Sequence, residues 1–132
     1  MGLLRRRVFG RSYKRSCRLS DYYVLWHESE TAQPVGTLEV NIESDLFNFQ
    51  LNSEYSGEVP WFVSYAKDAV LPMNTMIKMW VLDRAPESHN EFIDSLIRKA
   101  NLDEYDAYGF FKYNKGKFIT DRFYVVECEK SG

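Results

Sequence analysis

His27 and His89 are the two histidines of the chain, and Cys17 and Cys128 its two cysteines. Imidazole and thiolate are the usual zinc ligands and nucleophile–base partners, but both chemistries need them at short, specific spacings. Neither histidine stands at a metal-like spacing from a cysteine or from the other, and there is no CxxC pair. His27 follows Trp26 and reads as a hairpin-edge residue, while His89 reads as a solvated residue in a first helical turn. The carboxylates Asp94, Asp103, Glu104, Asp106 and Asp121 read as helix caps and surface groups rather than as an acid/base pair. Seven scattered glycines form neither GxxxxGK[ST] nor GxGxxG, which excludes the usual phosphate cradles. No nucleophile is displayed beside a base, so a small hydrolase lacks support. The expectation is a protein without catalytic residues, metal or cofactor, acting by binding another macromolecule.

Its charge is divided. The formal net charge is −2, yet residues 1–20 hold seven bases and no acid, which leaves 10 bases against 19 acids, about −9, on residues 21–132. The acid-free stretch has no apolar period and is read as a flexible basic arm, residues 1–19, ahead of one domain, residues 20–132. Within the arm, Arg5, Arg6, Arg7, Arg11, Lys14 and Arg15 alternate with Phe9 and Tyr13, a combination that can neutralise phosphates and stack on bases. The same composition also suits a solubilising tail, a start-site extension or a transit peptide. No apolar run reaches the roughly 20 residues of a bilayer crossing. Unpaired cysteines and the lack of a secretory core point to a reducing cytoplasm.

The elements that must carry any binding surface belong to the α+β class: an antiparallel meander with two or three short helices packed on it. Tyr22–Trp26 reads as a strand, Glu28–Gln33 as a turn and Val35–Ile42 as its partner, with Leu38, Val40 and Ile42 alternating against Thr37, Glu39 and Asn41. Phe47, Phe49 and Leu51 alternate in a third strand, and Trp61–Tyr65 is read as a fourth, shorter one. Asn74 is expected to cap a helix carrying Met76, Ile77, Trp80 and Val81. Ser88-His89-Asn90-Glu91 matches a capping box, opening a helix with Phe92, Ile93, Leu96, Ile97 and Ala100 along one stripe. Asn101 suits a left-handed stop. Asp103 is expected to cap a helix to about Phe111, before an Asn114-Lys115-Gly116 turn and a last strand, Phe118–Val126. Trp80, Phe92, Leu96 and Phe123 are expected to be buried, with the Ser88-capped helix laid on the sheet.

Several of these segments stand in a familiar order. Leu71-Pro72, Trp80-Val81-Leu82-Asp83-Arg84-Ala85-Pro86-Glu87-Ser88, Ile93, Leu96-Ile97, Leu102-Asp103-Glu104-Tyr105-Asp106, Gly116 and Asp121-Arg122-Phe123-Tyr124-Val125 follow one another. This order resembles the N-terminal region of HipA-like serine/threonine kinases, and Val24–His27 with Pro34–Val40 is similar to that region's opening hairpin. The likeness spans most of residues 22–127. It departs at His89-Asn90, where an Arg is usual, and at Asn101-Leu102, which replaces Gly-Leu. The resemblance implies a stand-alone relative of the kinase N-terminal subdomain, without the ATP-gripping loop and catalytic Asp segment, and so without kinase activity. In some bacterial tripartite toxin–antitoxin systems such a separate piece restrains a cognate kinase.

Two partner classes follow. The first is a protein, either a HipA-like kinase or another basic component of a toxin–antitoxin or defence system. The densest aromatic stretch, Tyr105, Tyr108 and Tyr113 flanked by Asp103, Glu104 and Asp106, is the expected docking surface, because aromatic anchors inside a polar rim favour interfaces. The second is nucleic acid bound through the arm, or, in a variant of the acidic reading, a DNA-mimic inhibitor from a mobile element whose body imitates phosphate charge.

Overall fold

The computed structural model describes residues 19–29, 32–68 and 70–128. The basic arm, with Arg5, Arg6, Arg7, Arg11, Lys14 and Arg15, lies outside the described residues. Within them the chain runs β1 (Asp21–His27), β2 (Gly36–Asn41), β3 (Leu46–Leu51), α1 (Trp61–Ser64), α2 (Met73–Leu82), α3 (Ile93–Lys99), α4 (Ala107–Tyr113) and β4 (Phe123–Glu127). The four strands form one antiparallel sheet in the order β3-β2-β1-β4, so the fold is α+β, as expected.

Side-chain alternation gives the sheet two faces. Tyr23, Leu25, Leu38, Val40, Phe47, Phe123 and Val125 point to one side and are buried with Phe62, Met76, Ile77, Trp80, Val81 and Phe111 from the helices. Helix α2 lies nearest β3, and α4 and α1 flank α2. A smaller cluster of Ala85, Ala100 and Phe110, joined by Ile93, Leu96, Ile97 and Tyr105, sits beyond the end of α2. Asn101 adopts φ of 60°, the left-handed stop expected there, and the Asn114–Gly116 turn falls where the sequence places it, with Lys115 and Gly116 at 56° and 69°.

Five readings need correction. The last strand starts at Phe123, not at Phe118: the chain turns first, with Asp121 N–H returning to the Phe118 carbonyl at 3.4 Å. Trp61–Ser64 is a helix, not a strand: Pro60, at φ −59°, sets the entry, and Val63 N–H returns to the Pro60 carbonyl at 3.0 Å. Helix α2 starts after Pro72, not at an Asn74 cap. The Asn74 amide is drawn away by the β2–β3 turn, accepting from Phe47 N–H at 2.7 Å and donating to the Asp45 carbonyl at 3.2 Å. Ser88 does not cap the helix that follows it. Asn90 Oδ1 takes the Phe92 N–H at 2.7 Å, and α3 begins only at Ile93. Asp103 likewise stands ahead of α4, whose flanking residue is Asp106.

These shifts change what α3 covers. Trp80 and Phe123 are buried as expected, but Phe92 precedes the helix and is 64% exposed. Leu96 is only half-buried and belongs to the smaller cluster, so α3 closes the end of the molecule and α2 covers the sheet.

Candidate interaction site

Helix α1 is four residues long, and its one buried side chain decides how the others face. Phe62 is inserted between Phe49 and Trp80, with edge-on ring contacts at 5.3 and 5.8 Å. With Phe62 pointing inward, Trp61 and Tyr65, four residues apart on one helical face, are presented to solvent with their rings 5.9 Å apart. The chain then returns past them towards Pro72, bringing Val70 and Leu71, which are 97% and 45% exposed. Trp61, Tyr65, Asp68, Val70, Leu71 and Met76 thereby enclose a groove of about 400 Å³, with buried Met76 at its base. Met73 at the start of α2 extends the exposed apolar surface. Contiguous apolar surface of this kind, with tryptophan, tyrosine and methionine at its centre, is the composition of a protein-binding patch.

The tyrosines singled out by sequence do not form one surface. Tyr105 is half-buried and donates to the Pro86 carbonyl at 2.7 Å; burial, then the charges of Glu87 and Asp106, raise its phenol pKa. Tyr108 turns inward, stacking on Phe111 at 6.0 Å and donating to Asp21 Oδ2 at 2.6 Å. Its hydroxyl also meets that of Tyr23 at 2.6 Å, so β1 and α4 are joined by a Tyr23–Tyr108–Asp21 chain. Burial pushes both phenols well above their ordinary pKa. Tyr113 alone of the three is exposed, as are Asp103, Glu104 and Asp106. The side-chain pattern of Trp61–Tyr65 fits a strand's period and hides the groove at α1; the sequence signal for the helix is Pro60 directly before it.

One juxtaposition is chemical in kind. His27 is buried at the end of β1, and its Nδ1 lies 2.7 Å from Ser29 Oγ and accepts from Ser29 N–H at 3.3 Å. A backbone N–H can only donate, so Nδ1 holds the lone pair and the neutral ring carries its proton on Nε2. That nitrogen is 3.3 Å from Glu58 Oε1, but it has no aligned hydrogen-bond partner. Ser29 and His27 lie in one turn, so the contact closes that turn.

Comparison with protein-family models, characterised proteins and solved structures finds no match.

Proposed function

We propose that the chain is a non-enzymatic regulator that docks on a partner protein through the Trp61–Tyr65–Leu71 groove. The observation that carries this reading is the exposure of two neighbouring aromatic rings beside Val70, Leu71 and Met73, apolar area that would be worth roughly 25 cal/mol per Å² if covered. Body charge argues for the partner's chemistry. With residues 21–132 at about −9 and Asp68 in the groove wall, the complementary surface is basic around an apolar anchor.

The resemblance of residues 22–127 to the HipA-like N-terminal region makes a kinase core of that class, in a bacterial toxin–antitoxin or defence system, the first partner to try. The test is calorimetric titration of the purified chain into a HipA-like kinase that lacks its own N-terminal subdomain and is encoded beside it. Trp61→Ala and Tyr65→Ala should each weaken binding more than tenfold at unchanged melting temperature, while Tyr113→Ala should not. Full affinity in both groove variants would move the docking surface elsewhere. A kinase core that ignores the wild-type chain would remove the kinase reading.

A further inference from the structure

The first described residue, Leu19, is itself part of a trough on the body. Leu19 and Asp21 from the start of β1, Ile42 and Glu43 from the β2–β3 turn, and Asp106 and Tyr108 from the start of α4 line a hollow of about 300 Å³. A second hollow of about 380 Å³ adjoins it, sharing Ile42, Asp106 and Tyr108 and adding Asp45, Lys78 and Leu82. Together they make one trough, which shares no lining residue with the α1 groove.

The trough is apolar along its walls and acidic at its rim. Leu19 and Ile42 are each at least half exposed, above the buried Val40 and Phe47. Glu43, Asp45 and Asp106 are exposed, and Asp21 accepts from the Tyr108 hydroxyl at the inner edge. Facing these four carboxylates are two ammonium groups: Lys78, which bridges Asp45 at 2.7 Å, and Lys112, 4.0 Å from Asp21. The rim therefore keeps a surplus of negative charge. Residues 11–18, Arg-Ser-Tyr-Lys-Arg-Ser-Cys-Arg, carry four bases and no acid, and they end one residue before Leu19.

We propose that this segment docks in cis: Arg11–Arg18 lies along the trough, with its cationic groups on Glu43, Asp45 and Asp106 and its side-chain stems and the Tyr13 ring on the apolar wall. Two relationships choose this occupant over any other basic chain. The charges are complementary, four bases against a rim with an excess of acid. The segment is also attached at the trough, through Leu19, so its effective concentration is on the order of millimolar, which an untethered basic peptide must exceed to displace it. Eight residues reach about 26–29 Å when extended, enough to bring bases from both ends of the segment over the two hollows. The consequence is regulatory. In the free chain these cations are held by carboxylates of the body, and they become available to another partner only when the trough is emptied.

A nitroxide attached at Gly10→Cys, in the full chain carrying Cys17→Ser and Cys128→Ser, should broaden the NMR amide signals of residues 42–45 and 105–108. It should spare Tyr22 and Val126, exposed residues on the sheet face away from the helices, which an undocked arm would sweep equally. The broadening should vanish in roughly 1 M salt, where charges are screened beyond about 3 Å, and in the double variant Glu43→Gln, Asp106→Asn, whose substitutions are both exposed. Trypsin should cut after Arg11, Lys14 and Arg15 roughly fivefold more slowly in the wild type than in that variant. Equal cutting rates, no broadening at the trough, or equal broadening at Tyr22 and Val126 would overturn the proposal. So would trough broadening that survives both the salt and the double substitution. Broadening seen on mixing the nitroxide chain with an isotope-labelled chain free of nitroxide would make the contact one between copies, and docking in cis would fall.

Discussion

The guanidinium of Arg84 grips the carboxylate of Asp121 with two side-by-side hydrogen bonds, Nη1 to Oδ2 at 2.8 Å and Nη2 to Oδ1 at 2.6 Å. The cation lies 4.0 Å over the Trp80 ring and also donates to the carbonyls of Gly116 and Phe123. One side chain from the end of α2 thus fastens the 114–121 loop to β4. Because the Arg84 side chain is 3% exposed, its charge has little water to fall back on.

Removing Asp121 should therefore be costly. Asp121→Ala leaves a buried cation without its counter-ion and is expected to lower stability by about 3–5 kcal/mol, read by urea denaturation. Arg84→Lys should also destabilise, because an ammonium cannot supply the paired geometry or the flat stack on Trp80. A loss under about 1 kcal/mol for Asp121→Ala would show the ion pair to be incidental.

Gly36 opens β2 opposite Leu51 of β3, and a Cβ added there would come 2.6 Å from the Phe49 ring and closer still to the Gln50 carbonyl. Gly36→Ala should cost at least roughly 1–3 kcal/mol, as overpacking does, and should shift the Phe49 and Phe62 ring signals in NMR spectra. Unchanged spectra would place the strands further apart than described.

The Tyr23–Tyr108–Asp21 chain gives a prediction in alkali. Both phenols are held neutral by burial, with folded pKa values above the ordinary 10.0. A raised acid pKa means that the stabilisation is complete below about pH 10 and is lost as pH rises beyond it, because the unfolded chain releases these protons first. Wild-type melting temperature should fall above about pH 10, with phenolate absorbance of the buried pair rising only on unfolding. Tyr108→Phe should cost about 1–3 kcal/mol at neutral pH, through the unpaired Tyr23 hydroxyl and the lost Asp21 contact, and should flatten the alkaline fall.

The sheet was legible because Leu38, Val40, Phe47, Phe49, Phe123 and Val125 alternate with polar or exposed neighbours, and a half-buried strand is the element that puts every second residue on one face. The helix starts were less so. Ser88 and Asn90 both offer a side-chain oxygen ahead of α3, and in the folded chain Asn90 closes a turn on the Phe92 N–H just before the helix, which itself carries no side-chain cap. Accordingly Ser88→Ala should change stability by no more than about 0.5 kcal/mol, whereas Asn90→Ala should cost about 1 kcal/mol in the same denaturation assay. The α1 groove is hard to read from four residues whose pattern fits a strand as well as a helical turn, and Pro60 is the one local signal that favours the turn.

The Ser29–His27–Glu58 arrangement places a hydroxyl, an imidazole and a carboxylate in the order that hydrolases use, and so it tests the non-enzymatic reading directly. The details argue for a turn anchor. Nδ1 is shared between the Ser29 hydroxyl and the Ser29 N–H, so the hydroxyl is held in its own turn, and Glu58 stands off-line from Nε2 with its side chain 63% exposed. Such a carboxylate orients an imidazole weakly, being free to hydrate. Glu58→Gln should leave stability within about 0.5 kcal/mol of wild type, and Ser29→Ala should cost about 0.5–1.5 kcal/mol through the lost hydrogen bond. A fluorophosphonate probe, which reports activated serines, should leave Ser29 unlabelled. Labelling that appears in the wild type and vanishes in both His27→Ala and Glu58→Gln would make the turn a nucleophilic site and replace the regulator reading with a hydrolytic one.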